Sequence, residues 1–246
     1  MFESQVRDNE ESLVSDLQFE VAPDAERNAQ AAAAFVAQSA RAAVDARGAF
    51  TVAFSGGSTP VRMLELLGEV SVPWDRVHVF QVDERVAPDG DPARNLNMLK
   101  TGLLLPGRLP PANLHPMPVL GDDLDAAARD YANELRACCG AGARLDLIHL
   151  GLGDDGHTAS LVPGDDALSV TDRDVAMTSD YRGHRRMTLT YPALDRAVSR
   201  LWLANGADKG PMLNRLRDAD ASIPAGRVVR EQSVVFCDQA AATAMS

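Results

Sequence analysis

Short apolar runs alternate with longer helical stretches along almost the whole chain, and this alternation constrains the fold more than any other feature. Leu17–Val21, Ala49–Phe54, Val77–Val82, Leu145–Leu150, Leu201–Ala204 and Ser233–Cys237 read as strands, with weaker ones at Asp174–Ser179 and Met187–Tyr191. Between them lie helical segments. Asp24 is placed to cap a long Ala-rich helix that Gly48 ends, and its apolar residues Ala29, Ala32, Val36, Ala40 and Val44 keep helical spacing. Val61–Leu67, Asn95–Leu105, Asp122–Cys139 and Lys209–Arg217 continue the pattern, and the Ala-rich end is read as a short helix or a frayed tail. Strands separated by helices predict an α/β fold, Rossmann-like, with a mostly parallel sheet and helices on both faces. No linker or repeat divides the chain, so a single domain is expected over 17–246, preceded by a flexible acidic tail at 1–16.

Composition narrows the function classes. The chain of 246 residues has 24 Lys plus Arg against 35 Asp plus Glu, a formal charge of −11. Such a field repels phosphate backbones, so nucleic acid is not expected as a partner, whereas a small phosphorylated ligand needs only a local basic pocket. The three cysteines, Cys138, Cys139 and Cys237, show no ligand spacing, which predicts free thiols in a reducing cytoplasm and no zinc site. No signal peptide is read at the acidic start, and no apolar run is long enough to span a membrane.

Three motifs fall at the carboxyl ends of expected strands, where open α/β sheets bind ligands. Ser55-Gly56-Gly57-Ser58-Thr59-Pro60 joins a strand to a helix. It is either a plain tight turn or an anion-binding loop whose N–H groups and helix dipole favour negative charge, with Ser58 or Thr59 as cap. It has no P-loop lysine, and Pro60 stands where a nucleophile elbow needs glycine. Asp83-Glu84-Arg85 follows the next strand, as a solvated loop or a cleft wall in which Arg85 binds phosphate or steadies an oxyanion and carboxylates hold hydroxyls.

The third motif runs from Gly151 to Ser160 and contains a formal G-x-G-x-x-G. A dinucleotide site is not expected there, because Pro163-Gly164 stops any helix and Asp154 and Asp155 would face a pyrophosphate. What remains is an Asp-x-His pair. His157 suits a general base, and Asp155 could orient its ring or share a water with it; an ordinary loop histidine is the other reading. His78 and His149 lie inside strands and read as core or sheet-face residues, and His115 as a loop residue. Arg182-Gly183-His184-Arg185-Arg186 is a basic knot in an acidic chain, either solvated or a phosphate clamp. Lys209 opposes the dipole of the helix it starts, which makes more sense beside a bound anion.

Taken together and in order, these motifs resemble the 6-phosphogluconolactonases, which share a superfamily with glucosamine-6-phosphate isomerase/deaminase. The resemblance extends from about Phe19 to Ala241, through Phe54–Pro60, Val82–Arg85, Asn95-Leu96, Leu150–Leu161, Arg186–Thr190, Gly206–Lys209, Ile223–Ala225 and Asp238–Ala241. It implies hydrolysis of 6-phosphoglucono-δ-lactone without a cofactor or metal. The family's catalytic histidine falls on His157, and its phosphate-binding elements fall on Gly56, Gly57, Ser58 and Thr59, on Arg186 and on Lys209. Asp83 and Arg85 match cleft positions, and Asn95 joins the substrate-binding set. Arg94 stands where the family usually has serine, and would add a cation to the cleft or crowd it. The deaminases carry a glutamate five residues after the histidine; here that position is Val162, which cannot move a proton. The alternatives are a deaminase-like enzyme and a non-catalytic sugar-phosphate-binding protein. The partner implied is a small phosphorylated sugar lactone, bound by a monomer or small homo-oligomer.

Overall fold

The structure, a computed structural model, describes residues 17–245; the acidic segment 1–16 lies outside the described residues. The chain runs β1 (Gln18–Ala22), α1 (Ala25–Arg47), β2 (Phe50–Phe54), α2 (Thr59–Leu67), β3 (Val77–Gln81), β4 (Asp83–Arg85), α3 (Leu96–Leu99), β5 (Leu114–His115) and α4 (Leu124–Cys139). It continues through β6 (Leu147–Leu150), β7 (Val175–Met177), β8 (Arg186–Leu189), α5 (Tyr191–Arg196), β9 (Ser199–Ala204), α6 (Gly210–Arg217), β10 (Ser233–Asp238) and α7 (Gln239–Thr243).

Among the described residues, seven strands form one sheet in the order β1-β10-β9-β6-β2-β3-β5. Every adjacent pair in it is parallel. Alternate side chains enter opposite cores, as the period of two requires. Val52, Phe54, Leu201 and Leu203 pack with α1, α2 and α3, while Ala53, Ile148, Trp202 and Ala204 pack with α4, α5 and α6. Both faces of the sheet are therefore covered by helices, as expected for a parallel sheet. The helix caps follow the sequence. Asp24 accepts from the Arg27 N–H at 2.8 Å, and Gly48, at φ 81°, closes α1 with a hydrogen bond to Val44 O.

The order of strands creates a switch point. From β2 the chain moves outward to β3 and β5, then returns to place β6 on the other side of β2. The connections leaving β2 and β6 diverge, and the crevice between them lies at the strands' carboxyl ends. The Ser55–Thr59 loop leaves β2 there, and the Gly151–His157 loop leaves β6.

Four local expectations are corrected. Asp83-Glu84-Arg85 is not a loop but β4, the edge of a second, three-stranded antiparallel sheet ordered β4-β8-β7. Strand β8 ends at Leu189, and Tyr191, assigned to a strand, begins α5, with Pro192 in its first turn. Residues 95–105 form only one turn of α-helix before a wider π-type turn at Lys100–Leu104. His115 lies on β5 and not in a loop. Pairing partners distant in sequence decide β4 and β5, and residue periodicity does not register them.

Candidate active site

The crevice is a cavity of about 370 Å³. Gly56, Gly57, Ser58, Thr59, Asp83, Arg85, Asn95, His157, Arg186 and Lys209 all line it, so the three motifs read from sequence meet in one place. Asp155 does not line the cavity; it stands behind His157.

The β2–α2 loop turns through Gly57 at φ 114°, a conformation that suits glycine alone. Gly56 packs directly on Asn95: a Cβ there would come within 1.8 Å of Asn95 Oδ1. Asn95 in turn donates from Nδ2 to Asp83 O at 2.9 Å, so loop, α3 and β4 are locked together. Ser58 occupies the cap position of α2, but its side chain makes no capping hydrogen bond.

Glu84, the middle of the acidic-basic triplet, faces away from the cleft and is fully buried. Its carboxylate accepts from the N–H groups of Arg85, Asn95 and Leu96 and from Gln81 Nε2, and pairs with Arg94 Nε at 3.0 Å. Arg94 is thereby consumed in the interior; it neither charges nor crowds the cleft. Asp83 is buried as well. Burial raises its carboxyl pKa, against the pull of Ser160, which donates to it at 2.6 Å, and of Arg85 and Arg186.

The antiparallel register sets Arg85 directly opposite Arg186. Like charges across a strand pair repel. Burial, then the proximity of Arg85, pulls the Arg186 guanidinium below its ordinary value. Each side chain has one hydrogen bond to a carbonyl, Arg85 to Ala93 O at 2.7 Å and Arg186 to Tyr181 O at 3.2 Å. The Nε of each is buried without a protein partner. With Arg182 and Lys209 they make four cations on one wall system, inside a chain of net charge −11.

The β6 loop carries the Asp155–His157 pair. His157 Nδ1 lies 2.6 Å from Asp155 Oδ1, and the His157 backbone N–H donates to the same oxygen at 3.1 Å. The Tyr181 hydroxyl donates to Asp155 Oδ2 at 2.8 Å, and its ring meets the imidazole edge-on. Burial pushes the Asp155 carboxyl up, but these hydrogen bonds outweigh it and hold the group down at about 2. Asp155 is thus a carboxylate at any physiological pH. It fixes the proton on Nδ1 and leaves Nε2 as the basic atom. Asp154, Asp155 and His157 are close enough to hold a cation. Asp154, however, is paired with Arg182 at 2.8 Å and Asp155 with His157, so the set is satisfied internally.

Tyr181 was not singled out by sequence reasoning. Its signal was weak: a lone tyrosine just before the basic knot. Arg182 and Arg186 both lie over its ring, at 5.0 Å. His149 is buried as expected of a strand residue, yet it also reaches the cavity floor.

An open parallel α/β fold with a cationic cleft and an imidazole–carboxylate pair at its switch point defines a Rossmann-like enzyme acting on a small anion. A family model described as glucosamine-6-phosphate isomerases/6-phosphogluconolactonase matches residues 23–237. A 6-phosphogluconolactonase of Synechocystis is 40% identical over 178 residues, covering 71% of this chain and 74% of the relative. That of Mycobacterium tuberculosis is 33% identical over 237 residues, covering 91% and 96%. The crystal structure of a Thermotoga maritima 6-phosphogluconolactonase superposes with TM-score 0.79 at 26% identity, covering 91% of this chain and 99% of that one. The chain belongs to the glucosamine-6-phosphate isomerase/6-phosphogluconolactonase family.

Proposed function

We propose that this chain hydrolyses 6-phospho-D-glucono-1,5-lactone to 6-phospho-D-gluconate, the lactonase step of the oxidative pentose phosphate pathway. The observation that carries the reading is the facing pair Arg85 and Arg186, whose repulsion an anion relieves, in the same cavity as the Asp155-backed His157. The lactonase relatives match over most of the chain and supply the substrate class.

In this mechanism the phosphate lies against Arg186, Lys209 and the N–H groups of the Gly56–Thr59 loop, with Asn95 and Asp83 holding the sugar side of the cleft. His157 Nε2 takes a proton from water as the water attacks the lactone carbonyl. Asp155 keeps the ring oriented and stabilises the imidazolium that forms. Arg85 or loop N–H groups bind the developing oxyanion. The intermediate collapses, the C–O ring bond breaks, and His157 returns the proton to the departing ring oxygen. Water supplies the only other atoms, so the balance closes with the chain's own residues. Val162, at the position of the deaminases' glutamate, is a buried apolar residue outside the cavity lining, which disfavours the isomerase reading.

The lactonase unit is assigned to residues 17–246, with the acidic segment 1–16 as an appended tail. A cytoplasmic setting suits Cys138, Cys139 and Cys237, which are all free. No helix among the described residues is long and apolar enough to cross a membrane.

The test is the decay rate of freshly generated lactone with the wild type, with His157→Ala and without protein, beside ammonia release from glucosamine 6-phosphate. Decay above the spontaneous rate with wild type alone supports the reading. Ammonia release would replace it with deamination, and no turnover of either substrate would leave a sugar-phosphate-binding protein.

A further inference from the structure

A second cluster of ligating side chains lies at the edge of the main sheet, and none of it lines the cleft. His78 is the second residue of β3, His115 lies on the edge strand β5, and Cys138 is in the last turn of α4. One ligating atom from each lies within 4.8 Å of the others, and His78 Nδ1 is 3.0 Å from His115 Nε2. All three residues are half-buried, within reach of solvent. The sequence concealed this set because the residues are far apart in the chain and Cys138 follows no Cys/His spacing.

The surroundings are those of a metal site. His115 Nδ1 is 2.6 Å from Glu134 Oε1, so the carboxylate accepts a hydrogen bond from Nδ1–H and leaves the Nε2 lone pair aimed at His78. A carboxylate behind a histidine is the usual orienting partner of a metal-binding imidazole. The His115 ring is held in place by stacking on Phe80, with centroids 4.2 Å apart. The carboxyl end of α4, beside Cys138, carries the negative end of the helix dipole and favours a cation. Zinc binds nitrogen at about 2.0–2.1 Å and thiolate sulfur at about 2.3 Å, so the ligand atoms of a tetrahedral site with two nitrogens and one sulfur stand about 3.3–3.6 Å apart. The cluster needs only side-chain adjustments of about an ångström to reach that spacing.

We propose that His78, His115 and Cys138 bind a divalent cation of the zinc class, with Glu134 orienting His115 and water in the fourth position. The ion ties β5, a two-residue edge strand, to β3 and α4. The donor set of two imidazoles and one thiolate selects this class over magnesium or calcium. This site is independent of the lactonase reading.

The test uses chelator-stripped full-length protein titrated with Co2+. One equivalent is expected to bind with the strong visible bands of a tetrahedral site and a thiolate-to-cobalt charge-transfer band, both abolished by Zn2+. Cys138→Ser, a near-isosteric change, is expected to remove the charge-transfer band, and His115→Ala to abolish the tetrahedral spectrum. Glu134→Gln is expected to weaken binding about tenfold. His157→Ala, in the catalytic cleft, keeps the full spectrum. Zn2+ raises the Tm of the wild type but not of Cys138→Ser. No Co2+ binding, a pale octahedral spectrum, or a charge-transfer band that survives Cys138→Ser would each overturn the proposal. Cys138→Ser decides the matter even where His115→Ala does not fold.

Discussion

The imidazole of His157 rests against the backbone of Gly153, so closely that a Cβ at position 153 would stand 2.1 Å from Nδ1. The Gly153 N–H also donates to His157 O at 2.9 Å, closing the loop on itself. The ring position that Asp155 requires is therefore available only with glycine at 153. Gly153→Ala is expected to displace the ring and lower kcat at least about tenfold, the effect of mispositioning a general base. Tm should fall little, since the site is a surface loop. An unchanged kcat would show that the ring has more freedom than this contact allows.

The cationic wall and the imidazole should separate kinetically. Arg186→Ala and Lys209→Ala each remove a charge-assisted contact worth about 1.5–3 kcal/mol, which raises KM about ten- to hundredfold with a smaller change in kcat. His157→Ala should do the reverse. Steady-state kinetics on the lactone measures both, and a kcat collapse in Lys209→Ala would move the base assignment.

His149 carries a pH dependence of stability. It is fully buried, both ring nitrogens lack a protein partner, and desolvation drags its pKa from 6.5 down to about 3. Between those values the unfolded chain binds a proton that the folded one refuses. Stability therefore falls as pH drops from about 6.5 toward 3. Chemical denaturation of wild type and His149→Phe at pH 7 and pH 5 checks this: the wild type should lose more stability than the variant. Parallel losses would assign the acid sensitivity elsewhere.

Glu84 is the keystone beneath the cleft. Glu84→Ala leaves Arg94 buried without its counter-charge and three backbone N–H groups unpaired, which is expected to cost about 3–5 kcal/mol. Urea unfolding measures the loss. Because β4 carries Asp83 and Arg85 into the cavity, KM should rise as well; a variant of wild-type stability would refute the keystone role.

Much of this was legible in one dimension. The helix and strand periods, the Asp24 and Gly48 ends of α1, and the glycine loops after β2 and β6 are local signals, set by backbone sterics and by side chains a few residues apart. Asp155 and His157 are two residues apart, so their pairing could be read directly. Tyr181 reaches the same carboxylate from 26 residues away, and nothing near it in sequence announces that role.

The order of residues along the chain determined the long strands and helices, the caps of α1 and the glycine loops after β2 and β6, because those depend on neighbours within a turn or two. Tertiary structure alone decided the rest. Antiparallel pairing of β4 with β8 set Arg85 against Arg186 and buried Glu84 with Arg94. The sheet edge brought His78, His115 and Cys138 together. Those relationships arise from strand register and packing between distant segments, and a charge or a histidine acquires its role only when that packing chooses its partners.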